Sequence, residues 1–340
     1  MGNDDRWLFF FMQGAPCACR CKHCDFAVSA SCKPVPISRL VEFTEPFIEA
    51  RDKGEAVYKN LGIHLGDCAL NHPELSSWVG FLKQHHIEGW LTQPANGIHT
   101  RGSKAWRPFL ESLRSAGTEM LEFTLYGKEE IHDWFAGRKG GYAAIGTLAD
   151  LWREMEGQIY WSVVVHKKNI SQLGEIRSEI LDIHGVECAL TLWSYLGHGT
   201  AIEDLRIEAS DVQQAESYVQ EALESFRQES EWTEQLACLE ETPFPLSPIV
   251  IHVAIDPTGK ARIPYMPVSA GHEGIEFAAL PVQSVSKFMS RWDNKYTNRI
   301  NRYPLVHDLC RSYGDKGSTK LHDRQSVIRK WCSQRDLCMP

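Results

Sequence analysis

Four cysteines fall within eight residues near the start of the chain: Cys17-Ala18-Cys19-Arg20-Cys21-Lys22-His23-Cys24. With Arg20, Lys22 and His23 between them, these residues make a poor apolar surface, so core packing does not explain them. Their spacing is Cys17-x3-Cys21-x2-Cys24, with Cys19 as an extra thiol inside the first gap. Thiolates this close in sequence can converge on one soft metal centre, as zinc and iron–sulfur clusters require. The cationic neighbours favour the thiolate form. Three readings compete. Disulfides need an oxidising compartment. A structural zinc site wants four ligands, which Cys17, Cys19, Cys21 and Cys24 supply, although a one-residue gap is tight for a tetrahedron. The third reading is an iron–sulfur cluster held by three cysteines, with one iron left open.

Composition bears on the choice. Hydrophobic residues make up 43% and charged residues 24% of 340, ordinary for a soluble globular chain. No apolar run approaches the ~20 residues of a membrane span. The acidic start, Met1 to Arg6, and one short apolar run, Trp7–Met12, do not read as a signal peptide. The eleven cysteines are therefore expected to be reduced cytoplasmic thiols or metal ligands. Charge is uneven. Residues 240–340 hold 14 Lys and Arg against 10 Asp and Glu, while the first 239 hold 22 against 34. The C-terminal part is thus expected to meet an anionic partner.

The order of elements is largely periodic. Leu8–Gln13 is an almost wholly apolar run, expected to be a buried parallel strand, and the cysteine loop follows its C-terminal end. A helix is expected over 38–53. Leu61–Leu65 reads as strand two, followed by a Gly66-Asp67-Cys68 turn and a helix beginning around Asn71-His72-Pro73-Glu74-Leu75. Strand three is expected at 87–92, a helix at 106–116, and strand four at Met120–Gly127. A helix around 145–155, a strand at 159–166, a helix at 170–181 and a strand at 186–192 complete the series. Six β-then-α units over Leu8–Leu192 predict an α/β fold: a partial (β/α)6, TIM-like barrel, with a smaller C-terminal α+β extension. The expected divisions are a barrel at 1–209, one long packing helix (about 210–239) and linker within 210–248, and the extension at 249–340. There, Ile249–Ile255, Asp256-Pro257-Thr258-Gly259 and Lys260–Tyr265 signal a hairpin.

Cys-x3-Cys-x2-Cys directly after a first hydrophobic strand is the signature of the radical S-adenosylmethionine (SAM) enzymes, and this chain resembles them. The resemblance covers residues 7–199 well and 249–265 weakly. It implies that Cys17, Cys21 and Cys24 ligate a 4Fe–4S cluster whose open iron chelates SAM, and that a one-electron reductant such as flavodoxin or ferredoxin feeds it. His23 takes the aromatic position before the last cysteine and would border the adenine. The family's second signature is a Gly-Gly-Glu-Pro turn that holds the SAM amino group. Here it reads Leu65-Gly66-Asp67-Cys68, so Gly66 and Asp67 inherit that role. Thr124 matches a strand-four hydroxyl and would touch SAM, or is an ordinary strand threonine. Asn169 would contact SAM or cap the following helix. No role is assigned to Cys19.

The extension weakly resembles the SPASM/twitch type, whose cysteines hold auxiliary clusters. Tyr265 stands where the first such cysteine is expected. Cys238, Cys310, Cys332 and Cys338 are wide-spaced candidates for an auxiliary cluster, or plain buried thiols. Relatives with this extension often act on ribosomally made peptides, so the resemblance implies a peptide substrate. A small-molecule biosynthetic step is the alternative, and a zinc-binding, non-enzymatic module is the remote one. Lys287, Arg291, Lys295, Arg299 and Arg302 recur every three or four residues and would form one basic helical stripe. That stripe is a solvated face or a docking surface for an anionic partner, among which nucleic acid ranks last.

Overall fold

The computed structural model describes residues 7–24, 33–56, 58–99, 103–184, 190–193, 200–213, 220, 223, 226–237, 249–255, 260–263, 275–279, 282–289, 317–322 and 327. The architecture is mixed α/β. Strand β1 (Trp7–Gln13) is followed by helix α1 (Ile37–Asp52), β2 (Asn60–His64), α2 (Leu75–Gln84), β3 (Thr92–Pro94) and α3 (Ser103–Ala116). Then come β4 (Met120–Leu125), α4 (Glu129–Ala136), α5 (Gly141–Glu154), β5 (Gln158–Val164), α6 (Leu173–His184) and β6 (Leu190–Trp193). After α7 (Ala209–Gln213) follow β7 (Arg227–Gln228), α8 (Glu229–Ala237), β8 (Ile249–Ile255), β9 (Lys260–Ile263), β10 (Ile275–Ala279) and β11 (Leu321–His322).

Two sheets carry the molecule. One has the order β10-β9-β8-β1-β2, the other β3-β4-β5-β6. β1 pairs parallel with β2, and β3 to β6 are parallel throughout. A parallel bridge between Gly62 and Glu88 ties the edge of the first sheet to the chain entering the second.

Side-chain alternation explains how the strands sit. On β1, Leu8, Phe10 and Met12 are buried against the helices, while Phe9 and Phe11 face the other way and are only half-buried. Phe10 meets Phe43 and Phe47 of α1 and Phe288 in edge-on contacts at 4.8–6.4 Å between ring centres. Burying a ring of this size contributes about 1.5–3 kcal/mol. On β4, Leu121, Phe123 and Leu125 are buried, which turns Glu122 and Thr124 to the opposite face.

Three expectations change. The third strand starts at Thr92 rather than Ile87: Glu88 makes one bridge, and Gly89, at φ 114°, then bends the chain away. Helix α2 starts at Leu75, beyond Pro73, because His72 ties the preceding turn down. Its Nε2 lies 2.7 Å from the Val35 carbonyl and its Nδ1 accepts the Glu74 N–H at 3.1 Å. The single helix expected over 210–239 is broken, since residues 227–228 form a strand paired with β11. Glu231 accepts the Gln228 N–H at 2.7 Å, half of a capping box that begins a new helix. Trp232 anchors that helix by donating to the His322 carbonyl at 2.7 Å.

The expected C-terminal hairpin forms between β8 and β9, which pair antiparallel. β8 also pairs parallel with β1 over six residues, Leu8 to Gln13. The 249–255 segment is therefore a strand of the main sheet. Tyr265, the cysteines at 238, 310, 332 and 338, and Arg291, Lys295, Arg299 and Arg302 lie outside the described residues. Lys287 is exposed.

Candidate active site

The cysteine loop leaves the C-terminal end of β1 and is pinned on two sides. On one side, the Ala18 N–H donates to the Gly97 carbonyl at 2.8 Å. Buried Asn71 reinforces this, its Nδ2 donating to both the Pro16 and Gly97 carbonyls at 2.7 and 2.8 Å. On the other side, the Arg20 and Lys22 N–H groups donate to the Ala136 and Phe135 carbonyls at 2.8 and 3.0 Å. Those are last-turn carbonyls of α4, which a helix leaves without internal partners. Gly137 ends α4 at φ 62°, and a Cβ there would lie 2.7 Å from the Arg20 carbonyl oxygen. Only glycine lets the loop approach this closely.

Within the loop the thiols form a chain. Hydrogen bonds from Cys19, then from Cys68, pull the Cys17 thiol far below its ordinary value. A hydrogen bond from Cys19, then one from the Tyr126 hydroxyl, lowers Cys21 despite burial. The donors move oppositely: Cys19 is raised by its bonds to Cys17 and Cys21, and Cys68 by its bond to Cys17. The contacts run in the order Cys68, Cys17, Cys19, Cys21, Tyr126, with the single S–H of Cys19 shared between Cys17 and Cys21. Cys68 stands at the proline position of the second signature and also lies 3.2 Å from the Ala15 carbonyl. Cys24 is exposed, held across a tight turn by its N–H on the Cys21 carbonyl at 3.0 Å.

The Gly66 turn faces this loop. Gly66 has φ 72°, and an added Cβ would sit 3.2 Å from the Met12 carbonyl oxygen, so glycine is required. Asp67 keeps contact with solvent while protein encloses it, as happens to a group lining a cavity. That enclosure, and negative charge at Cys17, raise its carboxyl above the ordinary range. Glu122, projecting from β4, is raised by burial and then by Asp67. No Lys or Arg pairs with either acid among the described residues. Two enclosed carboxylates without a cation make a place for a cationic group.

A cleft beside the loop is lined by Cys19, Cys21, Asn96, Thr124, Tyr126 and Arg138. Asn96 supports it by accepting the Thr124 N–H at 2.8 Å. His23 packs against Tyr126 and Phe135 at 5.2 and 5.4 Å. Asn169 is fully buried, accepting the His166 N–H at 2.9 Å and donating to the Val164 carbonyl at 2.8 Å. A ligand contact at Asn169 would require that turn to open.

The structure thus brings Cys17, Cys21, His23, Asp67 and Thr124 to one end of the parallel strands, and turns Cys24 outward. Among the described residues, no three His, Cys, Asp or Glu side chains converge as a metal site as they stand. The donor set nonetheless suits iron–sulfur chemistry: soft thiols from one loop, of which Cys17 and Cys21 both touch Cys19 while Cys24 stands exposed. Gly97 leaves room for it, since a Cβ there would lie 2.2 Å from the Cys17 sulfur. Sequence reading missed Glu122, Asn96, Asn71 and Arg138. Glu122 alone had a signal, since it shares the Thr124 face in the alternation of β4.

No family model and no curated protein matches this sequence. Solved structures do. Native anSMEcpe with bound AdoMet is 12% identical, with a TM-score of 0.57 over 96% of this chain and 97% of that one. The same protein with AdoMet and the Cp18Cys peptide gives 0.54 at 10% identity, over 97% of each chain. Its polyhistidine-tagged form with AdoMet gives 0.56 at 10% identity, over 97% of this chain and 94% of that one. These neighbours are radical SAM enzymes. The chain has the fold of the radical SAM enzymes. In this chain the cysteine loop follows the end of β1 and the Gly66-Asp67 turn follows the end of β2.

Proposed function

We propose that this protein is a radical SAM enzyme whose six parallel strands form a partial barrel and whose substrate is a peptide. The observation that carries the reading is the cysteine loop, fixed at the end of β1 and facing the enclosed carboxylates of Asp67 and Glu122. Cys17, Cys21 and Cys24 would hold a 4Fe–4S cluster, with Cys24 turning inward. When bound, the cluster and SAM supply one-electron cleavage of the sulfonium and a 5′-deoxyadenosyl radical that takes a hydrogen atom from the substrate.

The chain's own residues bind and position. Asp67, at the Gly66 turn, accepts the amino group of SAM through a charge-assisted hydrogen bond. Glu122 adds a second negative charge on the same side. His23 and Tyr126 give an apolar wall for a purine, and Thr124 offers a hydroxyl beside it. Cys19 lies between Cys17 and Cys21, its single S–H serving one of them at a time, and does not ligate. Arg138, in the same cleft, donates to the Ile98 carbonyl and brings positive charge to that wall. The peptide reading is supported by the likeness to anSMEcpe, two of whose structures hold a peptide. Tyr265, in place of an auxiliary-cluster cysteine, favours a small-molecule substrate as the second reading.

Anaerobic reconstitution with iron and sulfide tests the core of this. The expected result is a brown protein that forms 5′-deoxyadenosine from SAM when reduced. Alanine at Cys17, Cys21 and Cys24 together should abolish both colour and cleavage, and Cys19→Ala should keep them. A colourless protein that retains zinc would leave a binding module instead.

A further inference from the structure

Trp134 is one of two large apolar side chains exposed among the described residues, at 41%. It projects from α4, the helix whose last carbonyls hold the cysteine loop. Two ammonium groups from separate segments flank its ring. Lys22 Nζ, from inside the cysteine loop, lies 4.4 Å from the ring centre, and Lys168 Nζ, from the loop after β5, lies 5.0 Å from it. Neither lysine has a carboxylate within ion-pair distance among the described residues. Arg20 is exposed in the same loop. Of the three acids on α4, Asp133 is engaged by the Gly140 and Tyr142 N–H groups, and Glu129 and Glu130 are exposed in the first turn, Glu130 one turn before Trp134. A basic spot with an aromatic centre therefore sits on a chain of net charge −8.

Inward from Trp134 the rings continue. Its ring centre is 6.2 Å from Phe135, Phe135 stacks on Tyr126 at 4.7 Å, and the Tyr126 hydroxyl bonds the Cys21 sulfur. The patch is thus joined to the cysteine loop by backbone hydrogen bonds and by a line of aromatic rings. We propose that Lys22, Trp134 and Lys168 form the docking surface for a small acidic one-electron carrier protein, with Trp134–Phe135–Tyr126–Cys21 as the route inward. This rests on the radical SAM reading. One electron leaves the carrier's reduced cofactor and the oxidised cluster gains it, and no bond or proton moves. Opposite charge steers the encounter and a central aromatic ring anchors it. A substrate must reach the cleft, whereas an electron carrier needs only the outer end of this route.

Purified flavodoxin, whose surface is acidic, is the probe. Its binding to the wild-type protein is measured by calorimetry at low and high salt. Its reduced form then serves as electron donor to the reconstituted protein, with dithionite as a small-molecule control. Lys168→Glu and Trp134→Ala, both outside the cysteine loop, are each expected to weaken binding tenfold or more. They should slow reduction by flavodoxin to the same degree and leave reduction by dithionite unchanged. Lys104→Glu on α3 should change neither by more than twofold. Wild-type affinity in both variants, or no salt-sensitive binding by the wild type, would overturn the proposal. So would a tetraglutamate peptide that binds the patch while flavodoxin-driven reduction is unaffected, which would assign the surface to an acidic peptide. The binding arm needs no cluster. Loss of the chromophore in wild type would therefore sink the radical SAM reading without being mistaken for failure of the surface.

Discussion

At the scale of single residues, the site is governed by where charge is left without a partner. Asp67 and Glu122 are both raised by burial first; negative charge at Cys17 adds to Asp67, and the Asp67 charge adds to Glu122. A bound ammonium would relieve both. Asp67→Asn keeps the shape and removes one charge, and a hydrogen bond to a charged group is worth about 1.5–3 kcal/mol. SAM affinity, measured by equilibrium dialysis with the reconstituted protein, is expected to fall roughly 10- to 100-fold, since 1.4 kcal/mol is a factor of ten. Unchanged affinity would remove Asp67 from the ammonium site. Much of this was legible in the sequence, because Gly66-Asp67 is a local turn whose φ demands glycine. Glu122 was less so, since its role depends on a neighbour 55 positions away in sequence and on the face that β4 presents.

At the scale of elements, α4 does most to position the loop, and two buried histidines bracket it. His132 lies within α4, and His166 stacks on Phe135 at 4.8 Å, almost parallel. Burial lowers both to about 4 from an ordinary 6.5. Because the folded-state value is depressed, the unfolded chain binds more protons between pH 4 and 6.5, and stability rises with pH across that window. Stability should therefore be full above pH 6.5 and fall as the pH drops toward 4, by on the order of 3 kcal/mol for each histidine. Urea denaturation at pH 7, 5.5 and 4.5 checks this, and His132→Gln with His166→Gln should flatten the profile. Local periodicity predicted most helices well because their apolar stripes are self-contained. It failed over 210–239, where the chain is interrupted by a strand whose partner, Leu321–His322, lies some ninety residues on. Propensity has no access to such a partner.

Across the whole molecule, the parallel pairing of β1 with β2, and of β3 through β6, followed from apolar runs alternating with helices. The place of β8 did not. A hairpin signal says that two strands pair, and it is silent about which strand waits beside them. β8 covers the side of β1 that β2 leaves open, so the strand bearing the cysteine loop is interior to its sheet. A version ending at residue 240 would turn β1 into an edge strand with unpaired backbone groups. It is expected to aggregate or to lose cooperative unfolding by circular dichroism. A soluble, sharply melting fragment would show that the parallel strands stand alone.

This pairing also sets a timetable. β1 is made about 240 residues before its second neighbour. At roughly 5–20 residues per second, the four thiols emerge tens of seconds before the wall behind them can close. During that interval they are open to oxygen and to stray metal ions. The cysteines of the loop are thus exposed first and sheltered last.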